Sequence, residues 1–70
     1  MIEAKNVKTS FWRLIPVRQG DDGLVMDNSE AFMVEKQEQM YEEADRMLDS
    51  DGVVKVKAEY VTRVFAFIED

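Results

Sequence analysis

The chain has 70 residues, of which 46% are hydrophobic and 34% charged, and its formal net charge is −6. This composition is typical of one folded domain, here residues 1–70, and a domain this small is marginally stable unless a staple or a partner adds to its core. The chain contains neither cysteine nor histidine. Their absence excludes disulfides, thiolate or imidazole metal ligands and histidine-based nucleophile pairs.

No apolar run approaches the ~18 to 20 residues of a membrane-spanning segment, and the N-terminal segment lacks the apolar core of a signal peptide. The sequence therefore predicts a soluble, cytoplasmic protein.

No motif for a cofactor or a metal is present: the glycines match neither a dinucleotide-binding nor a phosphate-binding loop, and residues 49–52 fail the ligand spacing of a calcium loop.

The first predicted element is a strand over residues 7–17, which are rich in β-branched and aromatic side chains. Pro16 predicts an edge strand or a strand end, because proline cannot donate a hydrogen bond to a neighbouring strand. Residues 19–23 are typical of a turn, and residues 24–26 of a short returning strand, so we expect a β-hairpin.

The third predicted element is an amphipathic helix that begins at Asp27, Asn28 or Ser29, each a good N-cap residue. It ends at residues 49–52, where Gly52 suits a left-handed C-cap. Apolar residues recur at helical period and form one stripe that we expect to face the core. This stripe consists of Met33, Val34, Met40, Tyr41, Ala44, Met47 and Leu48.

The last predicted element is a strand that follows Gly52, over residues 53–68, where every even position is apolar or threonine. Sixteen extended residues would span ~53 Å, whereas a compact 70-residue domain has a radius of gyration of about 11 Å. The strand must therefore bend, split or project from the domain. The order β-β-α-β predicts an α+β fold, in which one amphipathic helix covers a three-stranded, mainly antiparallel sheet.

The acidic residues concentrate in the middle of the chain. Residues 27–51 contain nine acidic and two basic residues, for a net charge of −7. Such a field repels phosphate and anionic lipid, so we expect no nucleic-acid or membrane partner, and a protein partner with a basic surface fits better.

Five of these acidic residues follow spacings of three and four, which places them on one side of the predicted helix, opposite the methionines. They are Glu35, Glu38, Glu42, Asp45 and Asp49. Two interpretations are open: a solvated face that serves solubility, or an anionic binding surface, one form of which is a nucleic-acid mimic.

The end of the last strand is apolar on both sides, and Val61, Phe65 and Phe67 lie there. These residues, with Phe11 or Trp12, either complete the core or form an interface with a second copy of the chain or another partner.

Adjacent carboxylates such as Glu42 and Glu43 do not face each other on a helix, and no residue set forms a plausible active site, so an enzyme is not expected.

The string Val61-Thr62-Arg63-Val64, with Phe11 and Trp12 on an early strand, resembles part of a small bacteriophage inhibitor of bacterial RNA polymerase that has a similar order of strands and helix. The resemblance covers six residues, and no residue role is transferred from it.

The sequence leaves two hypotheses about function. The first is a small acidic protein that binds a basic surface of a partner protein through the helix and acts as an inhibitor or regulator, such as a phage-type inhibitor of a host or defence protein. The alternative is a structural or assembly module that forms a homodimer through the long C-terminal strand and an exposed sheet face.

Overall fold

A computed structural model describes residues 1–70 as an α+β fold with one α-helix and an antiparallel sheet of four strands. The elements in chain order are β1 (Glu3–Gly20), β2 (Gly23–Met26), a short 3₁₀ helix (Asn28–Glu30), β3 (Phe32–Val34), α1 (Gln37–Leu48) and β4 (Val53–Glu69).

Strand β1 organises the sheet. Along one side, β4 pairs with it antiparallel from Glu3↔Glu69 to Arg18↔Val53, with one irregularity between Val17 and Arg18. Along the other side, only its C-terminal half is paired, with β3 through residues 12–14 and with β2 through residues 17–20. The hairpin of β1 and β2 agrees with the sequence-based prediction.

The prediction of three strands in the order β-β-α-β is wrong in one element, because β3 adds a fourth strand before the helix. Residues 28–30 form a 3₁₀ helix and residues 32–34 pair with β1, so α1 begins only at Gln37. The backbone groups of β3 form hydrogen bonds with those of β1. A helix at the same residues would lose these bonds. Met33 lies on β3 with 61% of its surface exposed, outside the helical stripe to which its spacing assigned it.

The prediction for Pro16 is also wrong, because this residue is fully buried in a strand with partners on both sides, four residues before that strand ends. Its carbonyl oxygen accepts a hydrogen bond of 2.9 Å from the backbone N–H of Asp27. Since the N–H and C=O positions of one strand residue point to the same side, the missing N–H falls in the gap between β2 and β3. No sheet hydrogen bond is lost there.

The main cluster of buried apolar side chains lies between α1 and one face of the sheet. Leu14 on β1 is fully buried against Met40 and Met47 of α1. Side chains packed around these three are Trp12, Val34, Ala44 and Val56. The predicted inward stripe is therefore confirmed for Met40, Ala44 and Met47, while Tyr41 and Leu48 of the same stripe are largely exposed.

Turn geometry bounds the helix at both ends. At the start, the backbone N–H of Lys36 donates a 3.1 Å hydrogen bond to Oε1 of Gln39. At the end, Asp49 is the C-cap, and Gly52 follows three residues later with a φ of +83°. The glycine has the left-handed conformation expected of it, although it lies in the turn that leads into β4 and not at the cap itself.

The N-terminal half of β1 and the C-terminal half of β4 extend beyond the layered part of the molecule. Residues 3–11 and 61–69 pair only with each other, and we call this two-stranded segment the arm. The molecule consequently measures 57 × 28 × 13 Å, with a radius of gyration of 16.7 Å. The long last strand therefore projects, one of the three outcomes expected from its length.

No α-helix of the structure has both the length and the apolar character needed to cross a membrane.

Candidate binding surfaces

The five predicted acidic residues lie on α1 or beside its two ends, and we call them the helix-face carboxylates. Glu38, Glu42 and Asp45 lie within α1, whereas Glu35 is in the bend before it and Asp49 is its C-cap residue. All five side chains belong to exposed residues, and none forms an ion pair within the molecule.

The helix geometry explains this exposure. Met40 and Met47 are buried against the sheet. Glu38 and Glu42 lie two residues from Met40, and Asp45 lies two residues from Met47. Two residues correspond to about 200° around a helix, so these carboxylates point away from the sheet.

The basic residues near the helix do not neutralise this face. Arg46 donates hydrogen bonds to both carboxylate oxygens of Glu43, which raises the pKa of its guanidinium. Lys36 forms no ion pair. The helix-face carboxylates thus form a surface of one charge sign.

The sheet face turned away from the helix carries the opposite charge. Side chains alternate along a strand, and Leu14 marks the helix side, so Arg13 and its ladder partner Glu59 lie on the other side. Lys55, Lys57 and Arg63 share that side with them. The carboxylate of Glu59 forms ion pairs with Arg13 at 3.2 Å and with Lys57 at 3.8 Å. Basic residues are therefore in excess on this face.

The aromatic residues divide between the core and the arm. Trp12 packs in the core, with its ring centroid 5.1 Å from that of Tyr60. Phe65 and Phe67 are 41% and 57% exposed on the arm, and their rings meet edge to face at 5.4 Å. Val61 on the same face is half-buried. The interpretation that these aromatic residues complete the core holds for Trp12 and is wrong for Phe65 and Phe67.

The arm exposes apolar side chains on its second face as well. Val64 and Ile68, on the side of β4 opposite Phe65 and Phe67, are 73% and 65% exposed. On the aromatic face, the guanidinium of Arg63 lies 5.2 Å from the ring centroid of Phe11. The sequence correctly placed an apolar, two-faced segment here, but its separation from the core depends on the ladder register.

Arg18 forms a polar clamp that sequence reasoning missed. Its guanidinium donates to Oδ2 of Asp27 at 3.4 Å, to Oε2 of Glu30 at 2.6 Å and to the carbonyl oxygen of Asp51 at 2.7 Å. The bond to Glu30 raises the pKa of Arg18. Two hydrogen bonds lower the pKa of Asp27: the larger effect comes from the Ser29 hydroxyl and a smaller one from Arg18. The partners lie 9, 12 and 33 residues away, so no sequence spacing signals the clamp.

Two shallow grooves lie on the sheet face away from the helix. The larger, about 460 Å³, is lined by Val17, Leu24, Met26, Lys55, Val56 and Lys57. Its lining offers apolar surface and two amines, but no carboxylate or hydroxyl that could act with them in acid–base catalysis. No group of three or more acidic side chains could hold a metal ion.

Comparison with known proteins finds no match: no protein-family model fits the chain, and neither a curated protein nor a solved structure is significantly similar to it.

Proposed function

We propose that this chain is a small binding protein that occupies a basic surface of a partner protein and thereby inhibits or regulates it. The observation that carries the proposal is the placement of the helix-face carboxylates. All five are exposed, the three within α1 point away from the sheet, and no cation of the chain pairs with any of them.

Electrostatic steering is the mechanism by which this surface would bind its partner. A concentrated field of one sign steers a partner of opposite charge and raises the association rate, and salt screens the effect over a Debye length of about 8 Å at physiological ionic strength. Carboxylates on a helix also repel one another at a spacing of four residues, by a few tenths of a kcal/mol per pair. A basic partner surface would relieve that repulsion.

The same surface supports a more specific form of the proposal, in which the helix mimics nucleic acid. From Glu38 to Asp45 the helix rises about 10 Å at 1.5 Å per residue and presents three negative charges along one side. A groove that binds phosphates would receive such a row of charges. Inhibitors of this kind, including phage proteins directed against host or defence proteins, fit a chain of this size and charge.

Capture of partners with matched variants tests the proposal. In the first variant, Glu35, Glu38, Glu42, Asp45 and Asp49 become their amides. In the control, five exposed acidic residues elsewhere become amides, namely Glu3, Asp21, Asp22, Asp51 and Asp70. Each variant loses five negative charges from −6, so both have a net charge of −1 and differ only in where the charge was removed.

We expect a partner from the source lysate to be retained by the native protein and by the control variant, and lost by the helix-face variant. Circular dichroism must first show that both variants fold. Equal recovery of the partner by the two variants would refute a specific role for the helix.

A second candidate function, a structural module that forms a homodimer, is favoured by the exposed apolar arm. A two-stranded ribbon is marginally stable on its own in water, and here both faces of β4 in the arm carry exposed apolar side chains. In this case Val61, Phe65 and Phe67 would be the important residues. A monomeric mass at high micromolar concentration would count decisively against this candidate.

A further inference from the structure

The outer edge of β4 is unpaired along its whole length. Strand β4 pairs only with β1, so all residues of Val53–Glu69 lie at the edge of the sheet. Native proteins usually protect such edges with proline, charged side chains or bulges. In the arm, residues 64–68 contain none of these, and their side chains are apolar on both faces.

The ladder identifies which backbone groups face outward. The Pro16 carbonyl points away from β4, toward Asp27, so the even residues of β1 up to Pro16 direct their N–H and C=O groups away from β4. The odd residues of β1 therefore bond to the odd residues of β4 that they face. It follows that the even residues of β4 from 56 to 68 present their backbone groups at the free edge.

The chain exposes more surface than a compact protein of its size. The chain has 5582 Å² of accessible surface, whereas a compact protein of 8.2 kDa has about 4,500 Å². The excess of about 1,000 Å² exceeds the roughly 800 Å² that each partner contributes to a standard interface.

We propose that the free edge of β4 pairs antiparallel with β4 of a second copy, in a register centred on Val61. This inference deepens the homodimer candidate and rests on it. This pairing would place β4 in the interior of one sheet, where the backbone groups of both its edges are hydrogen-bonded. The two copies would then share one continuous sheet.

Full pairing of β4, together with charge complementarity, selects this register. With Val61 on the two-fold axis, residue numbers that face each other add up to 122, and the whole of Val53–Glu69 is paired. Glu59 then faces Arg63 of the second copy, twice by symmetry. Lys55 and Lys57 face Phe67 and Phe65, and no like charges are opposed. Moving the centre to residue 63 would oppose the two copies of Arg63, and moving it to residue 64 would oppose Glu59 and Glu69.

The same register keeps the acidic helices apart. Helix α1 packs over the half of β4 that precedes the arm. In the dimer, Lys57 faces Phe65 of the second copy, so the two Lys57 positions are separated by eight residues, or about 26 Å along the strands. This separation exceeds the Debye length of about 8 Å at physiological salt. The arm itself has three basic and two acidic residues, so its charge does not oppose self-association.

A single cysteine tests the register, because the native chain contains none. In the proposed dimer the two Val61 residues form a non-hydrogen-bonded pair, whose Cα atoms lie about 4.5 Å apart, within the range for a disulfide. We expect Val61→Cys to form a covalent dimer under mild oxidation. Val64→Cys is the control: it is more exposed, but its two copies would lie about 20 Å apart, so it should stay uncrosslinked.

Charge reversal provides an independent test. Arg63→Glu and Glu59→Arg should each weaken the homodimer by about tenfold, because two symmetry-related pairs become repulsive. Mixing the two variants restores both opposite-charge pairs, so we expect a heterodimer to form. Its recovery would also show that each variant folds.

These experiments distinguish a failure of the strand pairing from a failure of the homodimer candidate. A native protein that is monomeric at high micromolar concentration would overturn both the homodimer candidate and the strand pairing. A native dimer in which Val64→Cys crosslinks at least as readily as Val61→Cys would overturn only the pairing in this register. Neither result concerns the helix-face carboxylates.

Discussion

At the scale of single residues, Arg18 connects parts of the chain that are far apart in sequence. It lies at the irregularity of the β1–β4 ladder and bonds to the segment between β2 and β3 and to the turn after α1. The carboxylate of Asp27 accepts hydrogen bonds from both Arg18 and the Ser29 hydroxyl. The clamp fixes the two connections that position β3 and β4 against β1.

Asp27 should make stability depend on pH in the acid range. Its pKa is lowered in the folded protein, so its carboxylate contributes stability above the ordinary aspartate pKa of about 4, and the contribution is lost as the pH falls through the lower folded-state value. We expect Asp27→Asn to unfold at lower urea concentration than the native protein at pH 7, and the difference to shrink progressively as the pH falls below about 4 and through the lower folded-state pKa. A difference that is constant from pH 7 to pH 3 would show that the charge of Asp27 does not contribute.

At the scale of elements, the local sequence of residues 27–36 favours a helix, but pairing with distant residues makes part of this segment a strand. The sequence offers good N-cap residues at Asp27 and Ser29, and Met33 and Val34 continue the helical period of Met40 and Met47. A three-residue strand is too short to reveal alternation. Only its pairing with residues 12–14 of β1 decides for a strand, and a single sequence does not contain that information.

Other elements were predictable because their signals are long or local. The inward positions Met40, Ala44 and Met47 follow from helical period, and the paired β4 follows from sustained alternation. Pro16 was misplaced because its missing donor is harmful only where a hydrogen-bond partner would stand, and the gap between β2 and β3 removes that partner. Such a gap is a property of the assembled sheet.

The helix start provides a test of this account of α1. Lys36 occupies the N-cap position without a side-chain cap bond to the helix. Serine at this position can accept the backbone N–H of Gln39, which completes a capping box, so we expect Lys36→Ser to stabilise the fold by about 1 kcal/mol. Lys36→Ala is the matched control, since it removes the same charge without adding a cap. Equal urea midpoints for the two variants would contradict the assigned helix start.

At the scale of the whole molecule, the fold separates charge into layers. The helix-face carboxylates lie on one side, and the opposite sheet face has the excess of basic residues. The sequence predicted the positions of Glu38, Glu42 and Asp45 because these depend only on helical spacing, whereas Glu35 and Asp49 lie outside α1. It did not predict that Arg46 would be bonded to Glu43, or that Arg13 and Lys57 would pair with Glu59, since these contacts depend on rotamers and on strand register.

The arm is the second feature at this scale. Only six of the 70 residues are buried, and the apolar side chains of the arm lie outside the core. The sequence showed that the last strand was too long for a compact domain. The direction in which it projects, and the free edge that results, follow from the partial coverage of β1 by β2 and β3.

The most direct test of binding through the helix face is the association rate with the captured partner as salt rises from about 50 mM to about 500 mM. The native protein and the control amide variant should associate fast at low salt and slow by about tenfold or more over this range, because screening removes the steering. The helix-face amide variant should associate slowly at every salt concentration. A helix-face variant that associates as fast as the native protein, with the same salt dependence, would contradict the proposed function.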